Sequence, residues 1–226
     1  MKKIYTCLLA VALFTACKKA DTEDRIIIEP PYQKLIANDT LTSGQLFGLT
    51  IGQTSAELYA KIQQVQAAEK IGGLSVVNNI YTSIDSLKTR LLLYKGIFMD
   101  EAVGTSTGVQ LSFENNRVKT IFLNNGAGLT RWPVSITSNN AIAIGDPVDE
   151  IYQKLVNIKK DPLSAKKLER LSIFFKDTNK PYDPQMSASP QWYFVSTKSA
   201  KRYMYVTLNF TTGKLVSIYT AEFETQ

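Results

Sequence analysis

Ile51-Gly52-Gln53-Thr54-Ser55-Ala56-Glu57-Leu58-Tyr59-Ala60-Lys61-Ile62 aligns without gaps on Ile144-Gly145-Asp146-Pro147-Val148-Asp149-Glu150-Ile151-Tyr152-Gln153-Lys154-Leu155. Ile, Gly, Glu, Tyr and Lys are identical at five of the twelve positions. Further on, Val109-Gln110-Leu111-Ser112-Phe113 aligns on Val206-Thr207-Leu208-Asn209-Phe210. The copies lie 93 residues apart at the first motif and 97 at the second. The chain therefore carries one unit twice, and the fold is read from that unit.

The first motif reads as a helix in both copies. Thr54-x-x-Glu57 has the form of a capping box, and Asp146 followed by Pro147 reads as a cap with proline in the first turn. Leu58, Ile62 and Val65 recur on one face, as do Ile151, Leu155 and Ile158. Glu57 with Lys61, and Glu150 with Lys154, stand four apart with the acid first, the order that favours an ion pair. Gly72-Gly73 is the expected stop of the first helix. After Pro162, Ser164 to Phe174 reads as another helix, with Leu168, Leu171 and Phe175 as its apolar side.

The second motif reads as a strand. Val109, Leu111 and Phe113 alternate with Gln110, Ser112 and Glu114. Asn115-Asn116 turns the chain into Val118–Leu123, and Thr212-Gly213 turns the second copy into Leu215–Phe223. Tyr94–Met99 and Trp192–Val195 are expected as earlier strands. The expected class is α+β: two tandem units, each with helices followed by a three- to four-stranded antiparallel sheet. The units span 45–133 and 134–226.

The amino terminus sets an address. Met1-Lys2-Lys3 is followed by an apolar stretch from Ile4 to Phe14, too short for the roughly 20 residues of a membrane span. Its length and flanks fit a secretory signal, assigned to residues 1–16. Phe14-Thr15-Ala16-Cys17 resembles the lipobox of bacterial lipoproteins, with Phe14 where that family usually has Leu. The resemblance implies cleavage before Cys17, acylation of its thiol and new amino terminus, and so membrane attachment through lipid. Two or more acyl chains make such an anchor lasting. Lys18 in place of the family's retention Asp implies the outer membrane, on its periplasmic face or at the cell surface. Residues 17–44 are mostly polar, with Pro30-Pro31 in the middle, and read as a tether of roughly 30 Å reach. Ile26-Ile27-Ile28 within it could dock as a short strand.

Composition narrows the chemistry. There is no histidine, and the only cysteines are Cys7 and Cys17. By the lipoprotein resemblance, cleavage would remove one and lipid would take the other. Cys-His and Ser-His-Asp catalysis, and zinc held by His or Cys, are excluded from the mature chain. The formal net charge of +6 is spread along the chain, so no nucleic-acid partner is expected. Ser164-Ala165-Lys166-Lys167 matches Ser-x-x-Lys, but its companion Ser-Asp-Asn and Lys-Thr-Gly elements are missing. Asp100-Glu101 and Asp149-Glu150 are adjacent carboxylates, which glycosidase chemistry would need facing one another across a sugar. No calcium-loop spacing appears. The expectation is no metal, no cofactor and no catalytic residue.

A glycine before an acidic amphipathic helix, followed by a small antiparallel sheet and present twice, resembles the β-lactamase-inhibitor-protein fold. The single unit is similar to BamE-like (SmpA/OmlA-type) lipoproteins. The resemblance covers residues 45–226 and implies the fold, with no inhibitory activity carried over.

Strand alternation selects a candidate surface. If Met204, Val206, Leu208 and Phe210 face the helices, then Tyr203, Tyr205, Thr207 and Asn209 face away. Gln110 and Ser112 hold the equivalent positions in the first copy. Trp192, Tyr193 and Trp132 lie on or near neighbouring strands, and Lys201 and Arg202 flank them. Tyrosine and tryptophan suit interface hot spots because they bury much area at small entropic cost. The expected partner-binding set is Tyr203, Tyr205, Thr207, Trp192, Tyr193, Arg202, Gln110 and Ser112. The expected function is a non-enzymatic module of the envelope that binds another protein. The alternative is a binder of glycan or small molecules, and a carboxylate-based hydrolase comes last.

Overall fold

The structure, a computed structural model, describes residues 33–136 and 140–225. The signal, Cys17 and Ile26–Ile28 lie outside the described residues. In chain order, strand β1 (Gln33–Leu41) leads to the short pair β2 (Gln45–Leu46) and β3 (Leu49–Thr50), then helix α1 (Ser55–Val65). Strands β4 (Ile71–Val76), β5 (Ile80–Tyr81), β6 (Gly96–Asp100), β7 (Val109–Glu114), β8 (Arg117–Leu123), β9 (Gly128–Leu129) and β10 (Arg131–Trp132) follow. The second repeat brings β11 (Ile142–Ala143), helix α2 (Val148–Ile158), the single turn α3 (Pro162–Ala165), β12 (Arg170–Ser172) and β13 (Phe175–Lys176). It ends with β14 (Gln191–Thr197), β15 (Arg202–Thr211) and β16 (Lys214–Thr225).

Two six-stranded antiparallel sheets dominate. One has the order β1-β16-β15-β14-β4-β13, the other β5-β12-β6-β7-β8-β9. The α+β class, with helices leading each unit into a sheet of three or four strands, is therefore corrected. Strands far outnumber helical segments, and α1 and α2, of 11 residues each, are the only α-helices longer than about one turn among the described residues. Two expected elements account for much of the difference. The first helix stops at Val65, and Gly72-Gly73 belongs to strand β4. The Ser164–Phe174 helix ends early, after a turn of 3-10 helix at Lys166–Leu168. Leu171 and Ile173 are buried while Ser172 and Phe174 are half-buried, a period-two pattern. A β-branched residue followed by two phenylalanines suits a pleated surface better than a helix.

Sheet order shows a second correction, because each sheet takes strands from both repeats. Residues 71–81 run through the first sheet as β4 and into the second as β5, while residues 170–176 run the opposite way as β12 and β13. The two segments pair with each other: Ser75 lies opposite Phe175 and Leu171 opposite Tyr81. Between those pairs, Val76 N–H donates to Phe174 O at 3.0 Å and Ile173 N–H to Asn79 O at 3.1 Å. The two sheets thus meet along one shared seam.

The helices are exchanged as well. Leu58, Tyr59 and Ile62 of α1 are buried with Trp192, Phe194, Val206, Leu208 and Ile218 of the second repeat. Val148, Ile151, Leu155 and Ile158 of α2 are buried with Ile97, Met99, Leu111, Val118 and Ile121 of the first. Fully burying each such aliphatic side chain contributes about 1.5–3 kcal/mol. The hairpin turns receive the helix starts. Ser55 N–H donates to Gly213 O at 3.0 Å, and Val148 N–H to Asn116 O at 3.0 Å. Asn115, Asn116, Thr212 and Gly213 all have positive φ, as those tight turns require.

The Thr54–Glu57 capping box forms as expected. Asp146 does not cap α2. Pro147 takes the N-cap position, and Asp146 Oδ2 accepts from Ala143 N–H at 2.6 Å and pairs with Lys154. Lys154 therefore turns to Asp146 instead of Glu150. Within the segment read as a tether, Gln33–Leu41 pairs along the edge of a sheet as β1.

Candidate functional site

The register defines an open face on the side of the sheets away from the helices. In the first sheet Tyr203 lies opposite Thr197 and Phe223, Tyr205 opposite Val195 and Ala221, and Thr207 opposite Tyr193 and Tyr219. Tyr193 also faces Ser75, which faces Phe175. In the second sheet Phe98 lies opposite Ser172 and Gln110, Gln110 opposite Phe122, and Ser112 opposite Gly96 and Thr120. Residues opposite one another in a pair share a face, so these side chains form one surface.

Aromatic rings run across that surface. Tyr203 and Phe223 stack with centroids 5.8 Å apart, and Tyr205 meets both edge-on at 5.5 Å. At the seam Tyr193, Phe174, Phe175 and Phe98 follow one another at 5.4, 4.9 and 6.5 Å. Phe174 and Phe175 are adjacent in sequence yet both lie on this face, because the chain crosses from one sheet to the other at residues 173–174 and breaks the alternation there. Phe175 is 45% exposed, Phe122 43% and Tyr205 40%. Exposed apolar clusters of this kind mark interaction surfaces.

Three shallow depressions surround the seam. One, of about 260 Å³, is lined by Gly72, Gly73, Ser75, Phe175, Tyr193 and Tyr205. A second, of about 370 Å³, lies across the same glycines towards Ser112, Thr120 and Lys119. The third, of about 520 Å³, is lined by Phe98, Phe174, Arg170, Ser172, Gln110 and Asn124. A Cβ built at Gly72 or Gly73 meets nothing within 4 Å, so the missing side chains are what opens the first two.

The polar groups on this face are mostly tied. Ser112 Oγ and Thr120 Oγ1 share a hydrogen bond of 2.6 Å, and Gln110 Nε2 donates to Asn124 Oδ1 at 2.8 Å. Arg202 Nε pairs with Glu224 at 3.0 Å on the other face of the sheet. The Tyr203 hydroxyl is buried without a hydrogen-bond partner, and burial followed by the neighbouring Tyr205 raises its pKa above the ordinary value. Burial alone would raise the Asp100 carboxyl. Bonds from the Thr105 hydroxyl and N–H and from Glu101 N–H outweigh it and hold the group below its usual range.

Tyr203, Tyr205, Thr207, Tyr193, Gln110 and Ser112 are thus placed on one face, whereas Arg202, opposite Glu224 and in step with Met204 and Val206, lies on the other. Trp192 is not with them. It lies opposite Leu208 and Val76, is 0% exposed, and packs on Phe210 at 4.7 Å. Trp132 is buried in the other core. Phe98, Phe174, Phe175, Phe122, Phe223 and Arg170 were missed by sequence reasoning. The only available signal was the Phe174-Phe175 doublet, which the helical reading absorbed.

Ser164 Oγ donates to Asp161 Oδ2 at 2.6 Å, and Lys167 Nζ binds Glu101 and Thr107 at 2.6 Å each, so the Ser-x-x-Lys residues serve the local fold. Among the described residues no group of three or more His, Cys, Asp or Glu comes together to hold a metal ion. No described helix is long and apolar enough to cross a membrane. Comparison with protein-family models, with curated proteins and with solved structures finds no match for the chain.

Proposed function

We propose that the chain is a cell-envelope lipoprotein, anchored at the outer membrane through lipid on Cys17, that binds another protein on its open sheet face and catalyses no reaction. The carrying observation is the aromatic strip that crosses both sheets at the seam, with Phe175 and Tyr205 exposed and Phe98, Phe174 and Tyr193 half-buried. Phenylalanine-rich depressions suit protruding aliphatic or aromatic side chains of a protein partner. Arg170, which makes no ion pair among the described residues, suits an acidic group beside them. Truncating such anchors typically costs about 2 kcal/mol or more of binding.

The test is quantitative capture from the native envelope by the full chain. Phe175→Ser and Tyr205→Ser are expected to lose a captured protein that Leu163→Ser keeps. Leu163 is 81% exposed and lies off the face, so it controls for general stickiness. Equal capture by all three variants would remove the proposed surface.

A second reading rests on the largest depression. There the Phe98 and Phe174 rings adjoin the amides of Gln110 and Asn124 and the Arg170 guanidinium, a set that suits a sugar ring or small polar ligand. Calorimetric titration with envelope polysaccharides separates the two. Heat that Arg170→Ala abolishes favours the ligand reading, and its absence removes it.

A further inference from the structure

The edge strand β1 has all its residues from Gln33 to Thr40 exposed, and it closes one side of a six-stranded sheet. Its outer row of backbone groups meets no strand among the described residues. Natural sheet edges are blunted by proline, charged side chains, β-bulges or covering structure, and of these β1 has a single bulge and two charges. The sequence Gln33-Lys34-Leu35-Ile36-Ala37-Asn38-Asp39-Thr40-Leu41 has no proline and only two charges, of opposite sign. Leu35 is 46% exposed and Ile36 36%.

One irregularity organises those charges. The register against β16 shifts between Leu35 and Ala37, so Ile36 is an extra, bulged residue. Lys34 lies opposite Glu224, Ala37 opposite Glu222 and Asp39 opposite Thr220, which puts all three on one face of the sheet. Without the bulge, Lys34 and Asp39, five residues apart, would point to opposite faces. Asp39 Oδ1 accepts from Thr40 N–H at 2.7 Å, holding the carboxylate beside its own backbone.

We propose that β1 pairs antiparallel with β1 of a second copy of this chain, about a twofold axis at Ala37. In that register Ala37 meets Ala37 of the second copy. Asn38 meets Leu35, Asp39 meets Lys34 and Thr40 meets Gln33, each across the axis, and every opposed pair shares a face. The two ion pairs are generated by symmetry from one lysine and one aspartate. The small alanine sits at the tightest point. One edge pairing buries less than the roughly 1,200 Å² of a stable complex, so the association is weak and is captured best by a crosslink.

The test uses the full chain in its native envelope, with Ala37→Cys. Strands opposed in this way bring the Cα atoms to about 4.5–5.5 Å, within the range a disulfide spans. Mild oxidation is expected to give a disulfide-linked dimer joined at position 37. Thr40→Cys, which does not face itself, is expected to give little. In the Ala37→Cys background, Lys34→Asp or Asp39→Lys alone should cut the dimer yield several-fold, and the two together should restore it. Equal yields from Ala37→Cys and Thr40→Cys would overturn the proposal. So would a crosslink to a different protein, or a double charge exchange that fails to restore the dimer.

Discussion

Gly52 donates its backbone N–H to the carbonyl of Leu215 at 2.8 Å, tying the start of the first repeat's helix to the second repeat's sheet. The relation repeats in reverse, with Gly145 N–H on Val118 O at 2.8 Å. Each repeat therefore supplies the helix that covers the other's sheet. Residues 45–133 alone would leave the apolar faces of α1, β7 and β8 in water. Expressed alone, that fragment is expected to give an undispersed amide proton spectrum, and mixing it with residues 134–226 should restore dispersion. A dispersed spectrum from the isolated fragment would contradict the exchanged packing.

Lys176 is 0% exposed between the two cores, with Nζ donating to Asp177 O at 2.8 Å and lying 4.9 Å from the Tyr59 ring centre and 5.7 Å from that of Tyr94. Burial lowers its pKa to about 8, against the raising effects of Asp177 and Asp183. The unfolded chain thus binds the proton more tightly, and the penalty is fully present below pH 8. Stability should rise as pH climbs from about 8 towards the unfolded value near 10.5. Above pH 10 the gain is opposed, because burial raises the Tyr59 and Tyr94 hydroxyls and the unfolded tyrosines ionise first. Lys176→Met should stabilise the protein at pH 7 by about 1–2 kcal/mol and flatten this slope in urea titrations. Destabilisation by the substitution would contradict the assignment.

Thr212 holds φ 50 at the second hairpin, where its β-branched side chain is out of place. Thr212→Asn is expected to raise stability by about 0.5–1 kcal/mol, since asparagine tolerates that backbone. At the first helix, Thr54→Ala removes the capping box and should cost about 1 kcal/mol. Thermal melts of the two single variants, moving in opposite directions, check both.

The local elements were legible because their chemistry is local. Asn115-Asn116 and Thr212-Gly213 name their turns, and Thr54 with Glu57 names a helix start. The exchange was not legible. Periodicity says that Leu58 and Ile62 share an apolar face, yet it does not say which of two similar sheets that face will meet. The helix reading of residues 164–174 failed because Leu168 and Leu171 fit a helical stripe, while Leu171 and Ile173 fit a strand equally well. The open face was partly legible for a similar reason. Alternation along β15 placed Tyr203, Tyr205 and Thr207 together. Trp192 was misplaced because its side depends on the register with Leu208, which the sequence does not encode locally. Phe98, Phe174 and Phe175 come together only at the seam between the sheets.

The most direct test of the open face is photo-crosslinking in living cells, with a photoreactive residue in place of Phe175 and, separately, of Leu163. Binding on the seam predicts a discrete protein adduct from position 175 that is absent from position 163. No adduct from position 175, or the same adduct from both positions, would contradict the account.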